Sequence, residues 1–87
     1  MTTYELLDAR ETTHGDFAVT ARVAQQLKQI IRNTGQLNAN LTDIQRESLD
    51  MIATKIARIV AGDCAHADHW QDIIGYATLA LPSKSEV

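Results

Sequence analysis

Apolar residues recur every three or four positions through most of the chain, and stretches that alternate apolar with polar are short. The pattern predicts helices and no sheet. Val23, Leu27, Ile30 and Ile31 carry the spacing of one buried helix face, with Asp16 as N-cap before them and Gly35 as the stop, which predicts a helix over about 17–34. A stronger stripe of Leu49, Ile52, Ile56, Ile59 and Val60 follows Thr42, whose partner Gln45 stands at capping-box spacing, and ends at Gly62: a helix over 43–61. Trp70, Ile73, Ile74, Ala77 and Leu81 form the next buried stripe, capped by Asp68 with Gln71 and closed by Pro82, a helix over 68–81. A short N-terminal helix over about 3–11, opened by Thr2 with Glu5, fades before Thr12-Thr13-His14-Gly15. The uncharged link 36–41 reads as a helix-to-helix loop, and 83–87 as a frayed tail.

Length and composition narrow this picture. With 87 residues, one cysteine and no disulfide, the chain holds a single helical domain, 1–87, of the all-α class: a small three-to-four-helix bundle. Domains of this size bury little of their surface, so completion by dimerisation, at least a homo-oligomer, is expected. The net charge of −3 and the scatter of eight basic residues argue against direct binding of duplex nucleic acid, whose affinity rests on phosphate neutralisation. No secretory signal and no apolar run long enough to span a bilayer are read, and the lone Cys64 fits a reducing compartment. A cytoplasmic protein without membrane contact is expected.

Two pairs of carboxylates are candidates for chemistry. Glu47 and Asp50 share a sector of their helix with Thr54 and Arg58, roughly opposite the apolar stripe, and two carboxylates three residues apart can share Mg²⁺. Asp68 and Asp72 stand one turn apart and could face the same cation. Each pair also fits a plainer role, the first on a solvated face with ion pairs, the second complementing a helix N-terminus. Lys55 and Arg58 are placed to hold a phosphate or to pair with neighbouring acids. His14 and Asp16, at the junction of the first two helices, and His69, beside Asp72, are candidate ligand contacts.

Gly75 in mid-helix costs stability relative to alanine, which points to close approach by another helix or a ligand. The face of Asp68, Asp72, Gly75 and Leu79 is therefore expected to be covered, with Gly75 and Leu79 at an interface. Cys64, His66, Asp68 and His69 lack the paired spacing of a zinc site. No catalytic serine motif, phosphate-cradling glycine loop or dinucleotide fingerprint is present, and no catalytic residue is assigned.

Three segments, His14-Gly15-Asp16-Phe17, the run from Met51 to Ile59 containing Lys55-Ile56-Ala57-Arg58, and Asp68-His69-Trp70-Gln71-Asp72-Ile73-Ile74-Gly75-Tyr76-Ala77, together resemble a family of small phage and prophage helical proteins. That family is in turn distantly similar to the MazG-like all-α nucleotide pyrophosphohydrolases. The resemblance implies Mg²⁺ held by Glu47 and Asp50 in a first carboxylate pair and by Asp68 and Asp72 in a second, with a nucleotide as ligand and Lys55 or Arg58 at its phosphates. The pairs depart from the family's E-x-x-E and E-x-x-D spacing. The implied function is thus a phage-type accessory protein, binding Mg-nucleotide with weak or lost hydrolase activity in the host cytoplasm. The alternative is a non-enzymatic module that binds and inhibits a host enzyme or defence complex through its helix faces.

Overall fold

The computed structural model describes residues 2–82. Among these lie four α-helices and no strand: α1 (Thr3–His14), α2 (Phe17–Gly35), α3 (Asp43–Ala61) and α4 (Ala67–Ala80). Local chemistry sets most of their ends. Thr42 makes a full capping box, its hydroxyl accepting from the Gln45 N–H and its own N–H donating to the Gln45 side chain, both at 3.1 Å. Thr2 makes half of one, accepting from the Glu5 N–H at 3.1 Å, and Asp16 caps α2 through the Ala18 N–H at 2.9 Å. α1 runs further than the pattern predicts, to His14, and ends where Gly15 takes φ 81°.

The start of α4 differs from expectation. Its N-cap is His66, which makes no capping hydrogen bond, and Asp68 lies inside the first turn, where its charge complements the helix dipole. Residues 83–87, read as a tail, lie outside the described residues.

α3 is the centre of the molecule. It packs against α1, α2 and α4, while the backbones of α2 and α4 do not approach each other. The links between α2 and α3 and between α3 and α4 are short, so neighbours run antiparallel. Arg46, at the start of α3, accordingly donates to the carbonyls of Gly35 and Asn38 at the end of α2, at 3.3 and 3.1 Å.

A helix gripped from two sides has two buried sectors. At 100° per residue, Ser48, Lys55 and Ile59 form one and Ala53 and Ala57 the other, about 160° apart. The first faces α4, through Lys55 and Asp72; the second lies on the side where Arg46 meets α2. The expected stripe is thereby corrected: Ile59 is buried and Ile52 half-buried, but Leu49, Ile56 and Val60 fall between the sectors and remain exposed. A single-stripe reading assumes one neighbour. With two, small side chains such as Ala53 and Ala57 occupy the close approach.

The same offset recurs in α4 and α2. The inward face of α4 is His69, Asp72, Ile73, Tyr76 and Ala80, so of the predicted stripe only Ile73 turns inward and Trp70, Ile74 and Leu81 are exposed. In α2 the packed residues are Thr20, Ala24 and Gly35; Val23, Leu27 and Ile31 are half-buried and Ile30 is exposed. The buried hydrophobic residues are Ala24, Ala53, Ala57 and Ile59, a small core for a chain of this length. The radius of gyration, 14.9 Å, exceeds the roughly 12 Å of a compact domain of this size. No helix among the described residues is long and apolar enough to cross a membrane.

Candidate functional site

The α1–α2 turn crosses the α3–α4 turn at one end of the molecule, and two glycines let the backbones meet. A Cβ on Gly62 would stand 2.6 Å from the Gly15 nitrogen and the His14 carbonyl carbon, and one on Gly15 would collide with the Ala61 carbonyl. The Thr13 carbonyl is among the last in α1, which lack partners within the helix. It accepts from the Asp63 N–H at 3.2 Å and, across the chain, from the Nε2–H of His69 at 2.9 Å. The Thr20 hydroxyl donates to the next carbonyl, that of His14, at 2.8 Å. Helix α1, none of whose residues is buried, is anchored at its C-terminal end by these bonds.

This crossing gathers three imidazoles. His69 is the most enclosed, 2% exposed, and its ring lies edge-on to His14 and His66 with centroids 4.9 and 4.7 Å away. The rings of His14 and His66 are 6.4 Å apart. Partial burial, and then the nearby Arg58 cation, hold the His14 pKa below the ordinary histidine value. His66 Nε2 sits 3.6 Å from the Asp68 carboxylate.

Beside the imidazoles, the Lys55 ammonium meets the Asp72 carboxylate at 2.9 Å. Lys55 is only 8% exposed, whereas the Asp72 side chain is almost half open to water. The hydrogen bond from Lys55 is the main cause that lowers the Asp72 pKa, with the charges of His69 and Arg58 adding to it. Arg58, one turn beyond Lys55, is half-buried and acts electrostatically on both His14 and Asp72. Its backbone carbonyl accepts from the Gly62 N–H, but among the described residues its guanidinium makes no hydrogen bond and no ion pair. A guanidinium offers five N–H donors in a planar fork suited to carboxylate or phosphate oxygens.

The structure thus brings together His14, Lys55, Arg58, His69 and Asp72 of the residues singled out in the sequence. Asp16 is engaged in capping α2. Glu47 and Asp68 are exposed, and Asp50 is half-buried, with its backbone carbonyl accepting from Thr54 at 3.3 Å. Among the described residues no group of three or more His, Cys, Asp or Glu side chains is placed to hold a metal ion. The cover expected over Gly75 and Leu79 is not supplied by the described residues: a Cβ on Gly75 would meet nothing within 4 Å, and Leu79 is exposed. With Asp72 they line an open depression of about 510 Å³.

Sequence reasoning weighed His66 only as a zinc ligand and gave Thr13 no part in a site. Their roles arise from contacts between distant positions, such as the bond linking His69 to Thr13, and no local spacing signals them.

Fold and site define a class: a small all-α domain whose central helix carries a lysine and an arginine to a cluster of histidines. Within that class, the chain belongs to the DUF6378 family, described as a domain of unknown function, which it matches over residues 3–83. No curated protein and no solved structure matches it.

Proposed function

We propose that the chain is a phage-type accessory protein related to the MazG-like nucleotide pyrophosphohydrolases, and that it binds nucleotide phosphates at Arg58 with hydrolysis weak or lost. The observation that carries this reading is Arg58, a half-buried residue whose guanidinium reaches solvent without a hydrogen-bonding partner among the described residues, next to the Lys55–Asp72 pair and the histidines. An unpaired cation in such a setting has a strong preference for an anion of matching geometry. In this reading Arg58 takes a phosphate oxygen pair.

The resemblance brings Mg²⁺ with it, but Glu47, Asp50, Asp68 and Asp72 form no cage within one chain, and Asp72 is already paired with Lys55. The metal is therefore assigned to the nucleotide's own phosphates, and no hydrolytic step is derived through it. A host-cytoplasmic location follows from the phage reading.

Calorimetric titration with each NTP and dNTP, with and without Mg²⁺, tests the proposal, alongside an assay for released pyrophosphate. Binding is expected, and Arg58→Ala should weaken it at least about 10-fold, the loss of one or two charge-assisted hydrogen bonds. No heat with any nucleotide removes the reading. Rapid pyrophosphate release would place the chain among active hydrolases instead.

A further inference from the structure

Most of the large apolar side chains left exposed on three helices are not scattered. Phe17, Ile44 and Leu79 lie in other sectors, but Ile30 of α2, Leu49, Ile56 and Val60 of α3, and Trp70 and Ile74 of α4 are each displaced by about a quarter turn from a side that their helix uses for packing. Because neighbouring helices run antiparallel, a displacement of this kind carries all of them to the same side of the α2–α3–α4 layer. Ile30 and Leu49 indeed line one open groove together with Ile31 and Leu41. The face so formed contains Ile30, Leu49, Ile56, Val60, Trp70 and Ile74; Ile30 and Val60 are 64% exposed and Ile74 65%. Arg58, Asp72 and Gly75 belong to other sectors of their helices, so the candidate ligand site lies away from it.

We propose that this face is the interface between two copies of the chain in a two-fold symmetric dimer. Two observations select a second copy over any other occupant. Among the described residues the fully buried hydrophobic side chains are three alanines and one isoleucine, the other packed apolar residues being only half-buried, so a cover that is present whenever the chain is folded would supply burial the core lacks. A second copy meets that condition; a partner met only occasionally does not. The named residues are also uncharged throughout, so the face is complementary to itself, as an isologous contact requires. At roughly 100 Å² for each half-exposed side chain, it offers on the order of 600 Å², and with its rim approaches the roughly 800 Å² that one partner gives a standard stable interface.

Light scattering coupled to size exclusion measures the mass directly. The wild-type chain should run at twice 9.6 kDa. Ile30→Glu and Ile74→Glu place a charge where the isolated chain already exposes the side chain, so their main cost falls on the interface, and each should halve the mass or leave the chain unfolded. A second measurement needs no variant: for a dimer that folds as it associates, the wild-type Tm rises with protein concentration. Trp70, the only tryptophan, lies on the face and should shift its emission to the red on dilution into the monomer. A wild-type monomer with a concentration-independent Tm overturns the proposal. So does a folded dimer whose mass both glutamate variants leave unchanged. None of these readouts depends on nucleotide binding, so failure here and failure of the ligand reading are distinguishable.

Discussion

His14 and Asp72 carry the pH dependence at the level of single residues. The His14 pKa is lowered in the fold, so between that value and the ordinary one near 6.5 the unfolded chain binds more protons. Its contribution is fully present above about pH 6.5 and is lost as pH falls through that window. Thermal melts from pH 7.5 to 5 should show Tm declining, and His14→Asn should flatten the decline. Asp72, also lowered, stabilises above the usual carboxylate value near 3.9 and loses its contribution as pH falls below it. Asp72→Asn leaves the Lys55 ammonium enclosed without its carboxylate and should lower Tm at neutral pH. The residue types at this site were legible in the sequence, since Lys55, Arg58, His14 and His69 stand out for their chemistry. Their meeting was not, because it depends on a turn crossing that brings Thr13 to His69.

Glycines separate two kinds of demand at the level of elements. Gly62 lets the end of α3 touch the α1–α2 turn, and Gly62→Ala drives a methyl group into backbone that cannot rotate away. A loss of roughly 1–3 kcal/mol is expected from chemical denaturation, the cost typical of forced overpacking. Gly75 makes no such contact among the described residues, and Gly75→Ala should raise stability by about 1 kcal/mol through helix propensity alone. A drop at Gly75 instead would reveal that a helix or ligand closes on α4 in solution, as its mid-helix position led us to expect from the sequence. Helix existence and the caps of α1, α2 and α3 were legible because they are decided within a few residues, as at Thr42 with Gln45, whereas the α4 cap read at Asp68 falls instead at His66. The inward face of each helix was not, since it depends on how many neighbours the helix has and on which sides.

The whole molecule is organised around α3, and stability should be distributed accordingly. α1 has no buried residue and is held at its C-terminal end, so its first turns open without disturbing the rest. Hydrogen exchange should find amides of residues 5–10 among the fastest in the helices and those around Ala53 to Ala57 among the slowest. Equal protection of α1 and α3 would contradict this view of the fold.

The order of the helices, three of their four N-caps and the lack of strands among the described residues follow from the sequence by itself, because they rest on interactions spanning at most a turn of helix. So does the surplus of apolar residues over what one small core can enclose. Tertiary structure decided that α3 is gripped from two sides, that Leu49, Ile56 and Val60 are left outside while Lys55 and His69 are enclosed, and that Arg58 stands unpaired beside them. Periodicity marks which side of a helix is apolar, but burial depends on where the neighbouring helices lie, and that is set by contacts between residues far apart in the chain.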